Sequence, residues 1–347
     1  MKVLFDLNHP AHVHFFKYTI KTLIDEGHSV VITSRVKECA TDLLEEFNLE
    51  HHVLSAERKG GVLSLFKELL VRDFKLAQFV LSEKPDVMLS IGGIFIAHVG
   101  CLTRVPSLVF YDTENAKLQN LITYPFASKV IVPDCYKAWV PEKKMLRYKG
   151  YHELAYLHPD YFLSSKLVAL SGGLSEHEDT FLVRIVAWNA NHDVGEAGWS
   201  EALLVNVVSH LESLGKVIIS SEGELPNGLE RLRYSGAVKD IHHLMAYCRL
   251  FVGESATMAS ECAVLGVPAI YAAETGRGYT DEQQKLYQLV ENVSVLNKEN
   301  IISAIDTILS ENRDFYRAKN RSLLENTIDV NDFIGEQIIA ACSQRNR

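Results

Sequence analysis

Residues Gly253–Ile270 read GESATMASECAVLGVPAI, and this stretch with its flanks decides the fold. Just before it, RLFVG is a short apolar run of the kind a buried strand carries. Ser255 and Thr257 then supply N-cap residue types, and TMASECAVLG has the small and apolar residues of a packed helix, ended by Gly266. PAIYAA reads as a strand again. A strand, a crossover helix and a second strand in such quick succession form a βαβ unit, which requires a parallel sheet.

The alternation extends in both directions. Towards the C-terminal side of the chain's middle, TFLVRIVA, KVIIS and RLFVG are strands, separated by helices in SEALLVNVVSHLESLG and DIHHLMAYC. In the first half, KVLFDL is a buried strand, and Val13, Phe16, Ile20, Leu23 and Ile24 follow at helical spacing up to Gly27. HSVVITS, HHVLS, PDVMLSI, PSLVFYD and KVIVPD continue the strands, with helices over TDLLEEF and Leu63–Leu81. Strands separated by helices imply parallel sheets covered on both faces. The first series stops near Tyr151–Asp160 (YHELAYLHPD), where the hinge is placed. The expected organisation is two doubly wound, Rossmann-like α/β domains, residues 1–155 and 156–330, facing a cleft. Residues 331–347 are expected to form a C-terminal helix that returns to the first domain. The halves repeat an architecture, not a sequence.

Composition narrows the chemistry. The chain has 347 residues, of which 47% are hydrophobic, enough for two filled cores. Its formal charge is −9 without a block of basic residues, which argues against nucleic acid as the main partner. The six cysteines are scattered with no CxxC and read as reduced, mostly buried thiols of a cytosolic protein. MKVLFDL is too short an apolar run for a signal peptide, and VMLSIGGIFIAHVGCL falls short of a bilayer span. Peripheral contact with a membrane stays open. Neither GxGxxG after the first strand nor GxxxxGK[ST] is present, so dinucleotide dehydrogenases and P-loop NTPases are disfavoured.

In doubly wound sheets ligands sit at the carboxyl ends of the strands. There, Ser255, Ala256 and Thr257 leave room for a phosphate against the first-turn amides and the positive helix end. Glu261 stands one turn beyond Thr257 on the same face, where a carboxylate can accept two hydrogen bonds from a vicinal diol. Phosphates at the tip and a ribose beside the first turns make a nucleoside diphosphate footprint. The same residues also fit a core helix with a partly exposed Glu. Asp112 and Glu114 in FYDTENA follow a strand and suit acid/base work or hydroxyl binding, or simply cap the next helix. His9, His12 and His14 lack a defined fourth metal ligand, and no loop offers a DxD, so no metal or cofactor is expected. The pairs His51–His52 and His242–His243 read as structural. Lys67, Arg72 and Lys75 read as one side of a packing helix.

ESATMASECAVLGVPAI is similar to the nucleotide-sugar signature of two-domain GT-B proteins, in particular the MurG-like glycosyltransferases. DEQQ resembles that family's paired glutamines, which implies that Gln283 and Gln284 contact sugar hydroxyls. AHVHF resembles its first-loop turn, which implies that His12 is the base for an acceptor hydroxyl; Pro10 and Ala11 replace the family's glycines. His192 and Asp193, in WNANHDVGEAGW, fall on a loop that in GT-B proteins faces the cleft, which implies contact with a diphosphate or donor sugar; a surface loop is the alternative. The stretch also resembles the non-hydrolysing UDP-N-acetylglucosamine 2-epimerases, although SIGGIFIAH has Gly93 where those enzymes carry an Asp. FYDTENA, YPFASKVIVPD, GYHELAYL and SECAVLGVPAIYA together resemble one archaeal and bacterial domain-of-unknown-function family of the GT-B clan over nearly the whole chain. The resemblances imply a metal-independent glycosyltransferase that takes a UDP-sugar, an N-acetylhexosamine being one candidate. Its acceptor is left open, a glycan or lipid-linked glycan being one candidate. The alternatives are a 2-epimerase with Asp112 and Glu114 as acid and base, and a non-catalytic sugar-nucleotide sensor.

Overall fold

Val3, Leu4, Phe5 and Leu7 are all sealed from solvent, so the first strand is covered on both faces, as a central strand of a parallel sheet must be. The computed structural model describes residues 1–36, 40–56, 62–186, 198–221 and 223–345. The chain divides into two compact units, Met1–Tyr156 with Ile328–Arg347, and Leu157–Thr327.

The first unit alternates β1 (Lys2–Leu7), α1 (Pro10–Asp25), β2 (Ser29–Val36), α2 (Ala40–Glu46), β3 (His52–Ala56), α3 (Val62–Glu83), β4 (Val87–Ile91), α4 (Ile94–Thr103), β5 (Ser107–Phe110), α5 (Lys117–Thr123), β6 (Lys129–Pro133) and β7 (Met145–Tyr148), and α6 (Leu154–Leu157) closes the run. Its strands pair in the order β3-β2-β1-β4-β5-β6-β7, every pair parallel. Pro10 opens α1 at a position that needs no N–H, and the helix buries Val13, Phe16, Ile20 and Leu23 along one face.

The second unit runs α7 (Lys166–Ser171), β8 (Thr180–Ile185), α8 (Glu201–Glu212), β9 (Lys216–Ser221), α9 (Ile241–Met245), β10 (Leu250–Gly253), α10 (Ala256–Val264), β11 (Ala269–Ala272), α11 (Gly278–Glu282), β12 (Val290–Val293), α12 (Lys298–Leu309) and α13 (Arg313–Glu325). A turn of π-helix, Gln283–Tyr287, continues α11. The sheet order is β12-β11-β10-β8-β9, again all parallel. The last helix, α14 (Val330–Arg345), packs in the first unit, where Asn331 Oδ1 accepts a bond from Thr19 of α1 at 2.8 Å and its Nδ2 donates to Ala155 O.

Two strands escape the sequence reading, β7 and β12. Both are four-residue edge strands with half-exposed positions, so neither carries an apolar run. Among the described residues no helix is long and apolar enough to cross a membrane.

Candidate functional site

In the second unit the chain leaves β8 towards β9 on one side and reaches β10, β11 and β12 on the other. A parallel sheet opens a crevice at the carboxyl ends of such a pair. Gly253 ends β10 there, and a Cβ on it would stand 2.3 Å from Arg184 O, so only glycine lets the two strands lie this close. Glu254 follows, buried, and its carboxylate accepts backbone N–H bonds from Val186 at 2.9 Å and Trp199 at 2.5 Å. The Trp199 indole donates to Ala272 O at 3.0 Å. Glu254 therefore ties the exit of β8 to the approach of α8.

Ser255 is the N-cap of α10, its Oγ accepting from Met258 N at 3.3 Å. Ala256 is buried behind it, and Thr257 is half-buried. Glu261 is only 7% exposed, which the pattern did not indicate, and Oε1 lies 2.9 Å from His242 Nε2 on α9. A carboxylate at this depth needs such a donor to offset lost hydration. The two glutamines separate. Gln283 is fully buried and donates to Ser260 Oγ at 2.8 Å, one residue before Glu261. Gln284 turns to the edge strand, donating to Glu291 at 3.0 Å and accepting from Asn292 Nδ2 at 2.7 Å. His192 and Asp193 lie outside the described residues.

The first unit has its own switch point between β1 and β4. Asp6, fully buried near the end of β1, accepts from Thr33 Oγ1 and from Arg72 Nη2, both at 2.8 Å, and from Asn8 Nδ2 at 2.7 Å. Arg72 also donates to Asn8 Oδ1 and to Ser55 Oγ, and its guanidinium lies over the Phe95 ring. Arg72 therefore does not share an outer face with Lys67 and Lys75, the grouping the helical spacing suggested. It points inward with no exposed surface, because Asp6 would otherwise be an unpaired buried charge. His9 caps α1 by accepting from Ala11 N at 3.2 Å. His12 Nδ1 accepts from Asn8 N at 3.4 Å, which in the neutral ring leaves the proton on Nε2. His14 packs between Phe47 and Tyr156, so the three histidines do not converge. Among the described residues no three His, Cys, Asp or Glu side chains gather as a metal site requires.

At the next carboxyl ends, Asp112 and Glu114 part company. Asp112 Oδ2 pairs with His152 Nδ1 at 3.1 Å, and Oδ1 accepts from Thr113. Burial works against its ionisation, but the charge and hydrogen bond of His152, with the Thr113 bond, outweigh it and lower the carboxyl to a pKa of about 2. Glu114 Oε1 accepts instead from Lys137 N at 3.3 Å. Gly92, at φ 67, turns the chain after β4, and its carbonyl accepts from Gln119 Nε2 and Tyr111 Oη. A Cβ on Gly93 would lie 3.0 Å from Ile96 and 3.1 Å from Val109, a close approach to both side chains.

The family described as Protein of unknown function (DUF354) matches residues 1–339. The chain belongs to that family. A Methanocaldococcus jannaschii relative, Uncharacterized protein MJ0665, is 27% identical over 137 residues, 38% of this chain and 39% of the relative's length. The solved UDP-GlcNAc 2-epimerase of Neisseria meningitidis bound to UDP-GlcNAc is similar over 98% of this chain and 100% of that one, with a TM-score of 0.69 at 12% identity. The glycotransferase of kitacinnamycin is similar over 97% of this chain and 99% of that one, with a TM-score of 0.64 at 13% identity. At these identities the likeness shows the fold, which is GT-B-like.

FYDTENA and GYHELAYL contribute the two ends of the Asp112–His152 pair. The sequence carries no site signal for His152, Glu254 or His242. Each acts through a partner distant in sequence, and periodicity carries no signal for that.

Proposed function

We propose that this protein is a glycosyltransferase that takes a UDP-sugar and needs no divalent metal. The observation that carries the reading is α10: a Ser-capped N-terminus at the carboxyl edge of its sheet, small residues on its first turn, and the Glu261–His242 pair one turn deeper. A diphosphate fits the amides and dipole of the tip, and a ribose diol fits the carboxylate. The ligand bound in the Neisseria structure, UDP-GlcNAc, is of the class this reading assigns. In the reaction an acceptor hydroxyl loses its proton to His12 and its oxygen bonds to the anomeric carbon. The bond from that carbon to the diphosphate oxygen breaks, and UDP leaves against the α10 tip. For His12 to take the proton, Nδ1 gives up the amide of Asn8 or the ring turns over. Gly93, where the resembled epimerases carry an Asp, disfavours the epimerase alternative.

The test is incubation with UDP-N-acetylhexosamines, with and without cell extract, in EDTA. Release of UDP that depends on extract supports transfer. A change of configuration at C2 without an acceptor identifies an epimerase. Binding without turnover identifies a sensor. Turnover abolished by EDTA and restored by Mg²⁺ or Mn²⁺ refutes metal independence.

A further inference from the structure

The amino edge of the second sheet, opposite the Ser255 tip, gathers arginines. Asp179, Arg249 and Pro268 stand immediately before β8, β10 and β11. Arg313, the first residue of α13, reaches the same edge: Nη1 donates to Cys248 O at 3.1 Å, and Nη2 meets Asp179 Oδ1 at 2.9 Å. Arg249, Arg313 and Arg317 line one cavity of about 60 Å³, walled also by Tyr316, Gly266 and Pro268. Arg249 is 7% exposed. Its Nη2 donates to Glu311 O, and its Nε stands 3.7 Å from Asp179 Oδ2. Its Nη1, sealed from solvent, has no partner among the described residues.

The charges around this cavity do not balance. Asp179 serves both Arg249 and Arg313, while Arg317 meets Asp314 at 3.1 Å on the surface. Glu311 lines a different cavity, beside Glu291. Burial lowers the pKa of Arg249, Asp179 opposes that, and the charge of Arg313 adds to it. Arg313 also opens α13, where the positive helix end disfavours a cation. A buried donor without an acceptor and two cations on one carboxylate are both costly, and an anion relieves both. The volume is about that of two waters in the liquid, which suits a small ion and not a nucleotide.

We propose that Arg249, Arg313 and Arg317 form a binding site for a phosphate group at the amino edge of the second sheet. Guanidinium forks match the oxygens of such a group and hold their charge at any physiological pH. The group comes either as free phosphate or on a small ester. The site goes beyond the nucleotide-sugar reading and is separate from it in space, since the four residues of β10, about 13 Å of strand, run between the two edges.

Calorimetric titrations of inorganic phosphate, glycerol phosphate and UDP into wild type, Arg249→Gln and Arg313→Gln test it, at constant ionic strength. Wild type should bind phosphate, and each variant should bind it at least about tenfold more weakly, the loss of a charge-assisted contact. UDP should bind all three proteins alike. In thermal unfolding, phosphate should raise the Tm of wild type more than that of either variant, whereas its general exclusion from protein surfaces raises all three equally. Glycerol phosphate bound as tightly as phosphate, and lost in the same variants, identifies an ester as the source, and binding of phosphate alone identifies the free ion. No phosphate binding by wild type overturns the proposal, as does equal binding by all three proteins. Parallel losses of phosphate and UDP also overturn it, because one site then takes both. Should Arg249→Gln fail to fold, the half-exposed Arg313 decides: wild-type phosphate binding by Arg313→Gln overturns the site and makes Arg249 a structural brace. Absence of UDP binding alone would refute the nucleotide-sugar reading and leave this site standing.

Discussion

Replacing Glu261 by alanine perturbs two interactions at once, and they can be separated. The carboxylate is 7% exposed and holds His242 at 2.9 Å, with His242 itself 5% exposed. Alanine strips that buried imidazole of its carboxylate, which should cost about 1–3 kcal/mol of stability. If Glu261 also accepts from a ribose diol, each charge-assisted bond contributes roughly 1.5–3 kcal/mol to binding. Loss of even one such bond weakens UDP by about tenfold or more. Glu261→Gln keeps the shape and an acceptor for His242 but loses the charge, so it should fold near wild-type stability while discriminating poorly between diols. His242→Gln should lower stability and leave discrimination largely intact. The assay is calorimetric titration of UDP, 2′-deoxy-UDP and 2′,3′-dideoxy-UDP, alongside urea unfolding of each variant. Wild type should rank the three ligands, and both Glu261 variants should not. If all the proteins rank them alike, Glu261 serves only to hold His242 and the ribose lies elsewhere.

Three further outcomes are expected. His12→Ala should lower kcat by about 10²–10⁴-fold with donor affinity nearly unchanged, the range for loss of a general base, and unchanged turnover would make His12 a structural residue. Arg72→Met should destabilise the protein by about 3–5 kcal/mol because Asp6 is left as a buried charge, whereas Asp6→Asn with Arg72→Met should recover much of the loss in urea unfolding. His98 bonds Asp73 through Nδ1 at 2.8 Å and Ile122 O through Nε2 at 2.9 Å. The Asp73 bond raises its pKa against the opposing effect of burial. A group raised on folding stabilises fully below its unfolded pKa and loses that contribution as pH climbs through the folded value. The stability gap between wild type and His98→Gln should therefore be widest near pH 6 and narrow towards pH 9, and a gap that widens with pH would refute this.

The sequence alone determined the architecture, because a buried parallel strand must be apolar throughout and a crossover helix must show its period, and both patterns are local. KVLFDL, RLFVG and PAIYAA carry that signal, and the cap types at Ser255 and Thr257 locate a helix tip at a strand's carboxyl end. Edge strands such as β7 and β12 bury too little to carry it. What only the tertiary structure decided is pairing. That Asp6 faces Arg72, Asp112 faces His152 and Glu261 faces His242 depends on which elements pack together. The reason is that the energy of a charged side chain is set by desolvation and by its nearest partner, and both come from residues brought close by the fold rather than by the chain.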